Sequence, residues 1–175
     1  MPGLERGAVR LADHDPTWRV AFEEFASAIR LHTGLSSDRV EHVGSTSVPE
    51  LVAKPIVDIV VGADTQEDID SLAGKIAELG YIDRGSGEGS NGRLLVRESA
   101  PDVRIIHLHI VVFRSEHWRH YVVFRDALRS DPGLRRRYAL LKSSLAEQFR
   151  TDRKSYTSAK QSFIVEALVA RGVRV

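Results

Sequence analysis

Cysteine is missing from this 175-residue chain. Its absence removes disulfides, thiolate nucleophiles and thiolate metal ligands from consideration and fits a reducing compartment. Aromatic residues are sparse, at 7%, and do not interleave with basic runs as they do in general nucleic-acid binders. The net charge of +1 also argues against a nucleic-acid ligand, so a small molecule or a nucleotide is the expected partner. No apolar run is long enough to cross a bilayer, and residues 1–15 lack the apolar stretch of a secretory signal. The expectation is a cytoplasmic protein with no membrane partner. The sequence has no G-x-x-x-x-G-K-S/T phosphate loop, which excludes P-loop kinase chemistry within it. Repeats and low-complexity tracts are lacking too. The one Gly/Ser-rich stretch, 84–92, is short and reads as a hairpin loop, not a domain linker.

What remains is a chain of ordinary composition, large enough to bury a core as one domain. Its charge is unevenly spread. Residues 1–103 carry 10 Lys/Arg against 18 Asp/Glu, a balance of −8, and residues 104–175 carry 15 against 6, a balance of +9. Either two solvated surfaces attract each other, or an acid-bearing edge faces a basic wall that holds an anionic ligand.

Val9 to Ala12 reads as a short strand ending at Asp13. Pro16 suits the first turn of a helix whose Trp18, Phe22, Phe25 and Ile29 share a face. Val40 to Gly44 is a strand, followed by a helical turn from Ser47 to Leu51. Pro55 to Gly62 is nearly all apolar, the pattern of an interior strand. Asp64 or Thr65 caps a helix running to about Leu79, and Gly80 stops it. Arg93 to Glu98 and Arg104 to Phe113 are further strands. From Glu116 the period is helical, in three segments broken at Asp131-Pro132-Gly133 and near Thr151-Asp152. The expected fold is α/β (α+β), a small mixed β-sheet flanked by helices with a C-terminal helical segment. It forms one domain over 1–175, sheet-rich to 113 and helical from 114.

The richest segment runs from Glu41 to Val61. Gly44-Ser45-Thr46-Ser47 is a small-residue turn offering hydroxyls and backbone N–H groups, and it precedes an apolar strand with one carboxylate, Asp58. Such a pair can hold a phosphate and a divalent cation together. Asp58 in an apolar strand needs a partner; a salt bridge to Lys54 or to a base from the C-terminal half would also serve. His107 and His109, two apart on a strand, face the same way. They suit a metal or one base, or else two half-buried imidazoles bonded to carbonyls. With Asp58 they would make a His-His-Asp cluster. Arg153, Tyr156 and Lys160 fall on one helical stripe able to clamp a phosphate; ordinary surface charge is the plainer reading. Arg125-Asp126 reads as a local ion pair or a phosphate contact, and Arg135-Arg136-Arg137 as a solvated face. Arg104 has the wrong parity to join the histidines unless a bulge intervenes.

Taken together, these segments resemble the GrpB family of bacterial proteins, assigned to the nucleotidyltransferase superfamily. The resemblance rests on Asp15-Pro16 with Trp18, His42-Val43-Gly44-Ser45-Thr46-Ser47-Val48-Pro49, and Ala53-Lys54-Pro55-Ile56-Val57-Asp58-Ile59. It continues through Gly92-Arg93, His107-Leu108-His109, Phe124-Arg125-Asp126, Tyr138, Leu141-Lys142, Asp152-Arg153, Tyr156, Lys160 and Phe163. It implies a Gly-Ser turn followed by two acids, two positions apart, on the next strand. Here Val60 takes the second acid's place, and Glu50 stands where the family usually has glycine. The resemblance implies a nucleotidyltransferase-like enzyme moving a nucleotidyl group from a nucleoside triphosphate to a small-molecule acceptor. In that reading Asp58, His107 and His109 are catalytic and hold Mg²⁺, Mn²⁺ or Zn²⁺. Gly44, Ser45, Thr46, Ser47, Lys54, Arg93, Arg125, Arg153, Tyr156 and Lys160 bind the nucleotide. Similar domains occur fused to dephospho-CoA kinase, which implies as an alternative a non-catalytic ligand-binding or folding-assistance module with a protein partner. A metal-dependent hydrolase built on His107 and His109 is a third reading.

Overall fold

A computed structural model of the chain describes residues 3–86 and 91–175. The elements run β1 (Leu4–Glu5), α1 (Thr17–Thr33), β2 (Val40–Val43), β3 (Val57–Ala63), α2 (Asp68–Ala77), β4 (Ile82–Asp83), β5 (Arg93–Ala100) and β6 (Val103–Val112), then the helices α3 (Glu116–Ser130), α4 (Pro132–Gln148), α5 (Arg153–Ala159) and α6 (Gln161–Val169). The sheet order is β2-β3-β6-β5-β4, with β1 added to β6. β3 runs parallel to β6 and antiparallel to β2, so the sheet is mixed. The near-continuous apolar run of β3 is explained by helices covering both of its faces.

One sheet face is covered by α1 and α2. Trp18, Phe22, Ala26 and Ile29 of α1 pack there on Val57, Ile59 and Val61 of β3 and on Ile106, Leu108 and Ile110 of β6. The side chains of alternate parity, among them Asp58, Val60, His107 and His109, turn to the opposite face. There Val43, Val60 and Val111 pack on Trp118 of α3, and α4, α5 and α6 close over the remainder. Helix starts follow the expected chemistry. Ser115, Asp131 and Asp152 accept from the backbone N–H of Trp118, Leu134 and Ser155, and Pro132 fills the first turn of α4.

Several expectations change. The first strand is Leu4–Glu5, and Val9 to Ala12 contributes a single bridge between Ala12 and Ala53. The helical turn is a 3₁₀ turn at Ser45–Ser47, ahead of the predicted span. α2 begins at Asp68, and Thr65 gives both its backbone N–H and its hydroxyl proton to the Asp68 carboxylate. The C-terminal portion holds four helices, the last two meeting at Lys160. The predicted hairpin loop at 84–92 lies partly outside the described residues. Among the described residues no helix is long and apolar enough to cross a membrane.

Candidate functional site

The candidate site is assembled by strand register. Val43, at the end of β2, pairs with Asp58, and Asp58 pairs with His107 on the other side. The turn after β2 therefore sits against the carboxylate on β3. Gly44 is required there: its φ is 66° and ψ −172°, backbone that side chains do not favour. A Cβ added to it would come 2.9 Å from Asp58 Cβ and overlap the carboxylate oxygen. The turn is closed by Ser47 Oγ donating to Gly44 O at 2.6 Å. His42 Nε2 and Thr46 Oγ1 share a 3.0 Å hydrogen bond behind it.

Above this turn, between the sheet and α3–α6, lies a cavity of about 520 Å³. Gly44, Ser45, Thr46, Lys54, Asp58, His107, His109, Arg153, Tyr156 and Lys160 all line it. The sequence reading missed Lys142, which is 2% exposed and whose Nζ donates to Ser45 Oγ at 2.9 Å and to Val52 O. The ammonium lies 4.9 Å from the centre of the Tyr138 ring. A signal existed in the sequence: a lysine on the otherwise apolar stripe of Leu134, Tyr138 and Leu145 in α4. Lys54 and Lys160 lie 5.4 Å and 4.5 Å from the Tyr156 ring centre. Lys160 reaches the cavity from the junction of α5 and α6. Phe124, Ile164, Val165 and Leu168 supply an apolar wall.

The hydrogen bonds fix the state of His107. Arg153 Nη2 donates to its Nε2 at 3.3 Å, so Nε2 carries a lone pair. The proton therefore sits on Nδ1, which donates to Asp58 Oδ1 at 3.2 Å. Burial lowers the His107 pKa against the pull of Asp58, in agreement with a neutral ring. Burial alone would raise Asp58, but the His107 hydrogen bond and nearby positive charge outweigh it and hold the carboxyl at about 2. His109 is lowered to about 4 by burial and packs obliquely on Tyr121, ring centres 4.9 Å apart. Lys142 is lowered to about 7, by burial and then by Lys160. Lys54 is lowered to about 8, by burial and then by Lys160 and Arg153.

The expected His-His-Asp metal centre is not assembled. Both His107 nitrogens are engaged, one by Asp58 and one by Arg153. Among the described residues no three His, Asp or Glu side chains converge in a way that could hold an ion. Val60 is fully buried with Val43, Val111 and Trp118, so the place of a second acid is part of the core. Glu50 does not replace it, being bound to Arg135 on the surface at 2.9 Å. Its φ of 64° explains why glycine suits that position.

Three predicted phosphate contacts lie elsewhere. Arg93 is held by Asp70 and by Asp83 on the far side of the sheet's centre. Arg125 is buried and gives its protons to Glu41 at 2.6 Å, to Asp126 and to His42 O, tying α3 to β2. Ser47 faces a second hollow on the other side of the turn, lined by His14, Arg125, Arg129 and Arg135 and sharing Thr46 with the first. Arg104 does reach the histidine face. The pairings Arg97 with Ile106 and Glu98 with Arg104 leave one extra residue on β6, the irregularity that the parity argument required. Arg104 is buried, 4.0 Å from Glu98, and its Nε has no hydrogen-bond partner among the described residues.

Comparison with known proteins agrees with this architecture. The family described as GrpB protein matches residues 8–170. The chain is 30% identical to the glutamate-rich protein GrpB of Alkalihalophilus pseudofirmus over 96% of this chain and 98% of that one. A crystal structure of GrpB from Enterococcus faecalis superposes with a TM-score of 0.77 at 33% identity, covering 90% and 94% of the two chains. The Cid1 poly(U) polymerase shares the fold at 12% identity and a TM-score of 0.55, over 84% of this chain and 50% of that one. A dephospho-CoA kinase of Mycobacterium bovis is 24% identical over 94% of this chain, which spans about half of that enzyme's length (46%). The fold is nucleotidyltransferase-like, and the chain belongs to the GrpB family.

Proposed function

We propose that this protein binds a nucleotide, or a closely similar phosphorylated small molecule, in the cavity above the Gly44–Ser47 turn. The observation that carries this reading is the convergence of Lys54, Lys142, Lys160 and Arg153 on one hollow that contains Ser45. Burial, and after it neighbouring positive charge, depresses Lys54 and Lys142 with Asp58 alone opposing, and a phosphate would supply the negative charge that one carboxylate does not. The volume and the apolar wall suit a nucleoside. Calorimetric titration of the full chain with nucleoside mono-, di- and triphosphates and with adenosine tests it. Phosphorylated ligands should bind, adenosine should not, and Lys142→Ala should abolish the heat. Equal binding of adenosine and ATP would refute it.

The likeness of fold to a nucleotide polymerase favours a second reading, nucleotidyl transfer to a small acceptor, with neutral His109 as the base for its hydroxyl. Pyrophosphate release from a nucleoside triphosphate, dependent on an added acceptor, would establish that reading over simple binding.

A further inference from the structure

Charge counting in the cavity constrains the form in which a polyphosphate can enter. Four basic side chains face the hollow, and Asp58 is the only Asp or Glu side chain among its lining residues. That carboxylate is already bound to His107. His107 accepts from Arg153 at Nε2 and is therefore uncharged, and burial lowers His109 to about 4. Among the Lys, Arg, Asp and Glu side chains of the lining the balance is four basic groups to one acid, with Lys142 lowered to about 7 and so fully charged only once an anion is beside it.

The acids nearest the turn are engaged elsewhere. Glu41 is bound to Arg125 behind the turn, Glu50 is bound to Arg135 at the surface, and the position two after Asp58 is Val60 in the core. Two-metal transfer sites use several carboxylates to hold their ions, and those ions then neutralise the phosphates. Here the neutralising charge is covalently part of the protein. A divalent ion on the triphosphate would remove two of the charges that these lysines are placed to meet, and would itself be repelled by them.

We infer that this chain takes its polyphosphate ligand free of metal, with Lys54, Lys142, Lys160 and Arg153 supplying the neutralising charge that divalent ions supply in two-metal transfer sites. The inference rests on the phosphate-binding reading above and sharpens its ligand to an uncomplexed nucleoside polyphosphate. Asp58 then serves to orient His107, and through it Arg153, and its charge opposes the ligand.

The test is calorimetric titration of the full chain with ATP, first with EDTA and then with Mg²⁺ in excess over nucleotide, alongside the Asp58→Asn variant. Binding in EDTA that weakens about tenfold or more with Mg²⁺ is the expected result. Asp58→Asn keeps a side-chain oxygen for His107 but loses the charge, and should bind ATP in EDTA about threefold more tightly or better. Inorganic tripolyphosphate should compete with ATP in EDTA. Binding that requires Mg²⁺, or that is lost in Asp58→Asn while the variant melts as the wild type does, overturns the inference and leaves phosphate binding standing. Absence of binding in both conditions removes both.

Discussion

Lys142 is expected to cost the folded protein stability that its function requires. The side chain is buried at 2% exposure, among Lys160, Lys54 and Asp58, with Ser45 Oγ and Val52 O as its partners. Its pKa falls from 10.5 to about 7. An unfolded chain therefore binds more protons than the folded one across that interval, and stability rises with pH through it. At pH 7 the cost of keeping this amine folded is about 4 kcal/mol, at about 1.4 kcal/mol for each tenfold loss of proton affinity. Lys142→Met preserves the shape but leaves Val52 O without its donor, a loss of about 1–3 kcal/mol. The variant should thus be more stable than the wild type at pH 7, by about 1–3 kcal/mol after that offset. The advantage should shrink by about 2 kcal/mol between pH 7 and pH 9. Urea unfolding of both proteins at several pH values measures it. A stability difference that stays flat over this range would refute the reasoning, because the buried amine would then not be titrating where its surroundings place it.

Other substitutions test other joints of the fold and the site. Gly44→Ala forces a side chain into glycine-only backbone and onto the Asp58 carboxylate, and should lower unfolding free energy by about 2 kcal/mol or more in urea. Glu50→Gly relieves a positive φ at the expense of one exposed ion pair with Arg135; a gain of about 0.5–1 kcal/mol is expected by the same measurement. Arg125→Met strands Glu41 and breaks the link from α3 to β2. It should cost about 2–3 kcal/mol of stability while leaving ATP affinity in calorimetry near the wild-type value. A large loss of affinity in Arg125→Met, without unfolding, would return that residue to the ligand site.

Much of the site was legible because strand parity is a rigid rule. His107 and His109 had to share a face of one strand, and Asp58 joins them through the register of β3 on β6; the turn after β2 had to lie beside Asp58 once β2 and β3 paired. The departure at Val60 was likewise readable, and its burial with Trp118 shows why no acid stands there. Arg153 lines the cavity as its helical stripe predicted and Arg125 does pair with Asp126, but the full reach of Arg93 and Arg125 was not legible. A guanidinium reaches far, and whether it meets a ligand depends on which carboxylates the fold places within its radius: Asp70 and Asp83 for Arg93, Glu41 for Arg125. Lys142 escaped notice for the opposite reason, since its helix shows a lysine among apolar residues but not the serine it meets 97 positions away. Nothing in the spacing of His107 and His109 shows that Arg153 meets one ring nitrogen of His107. The two-residue first strand carries too little pattern to be seen before its partner β6 is known.

The most direct measurement is a crystal structure of the full chain grown with ATP and EDTA. Phosphate oxygens are expected within about 3 Å of Lys142 Nζ and Ser45 Oγ, with Lys54, Lys160 and Arg153 around them. Nucleotide bound instead in the arginine-lined hollow across the turn, beside His14 and Arg129, would contradict the phosphate-binding role of the lysines.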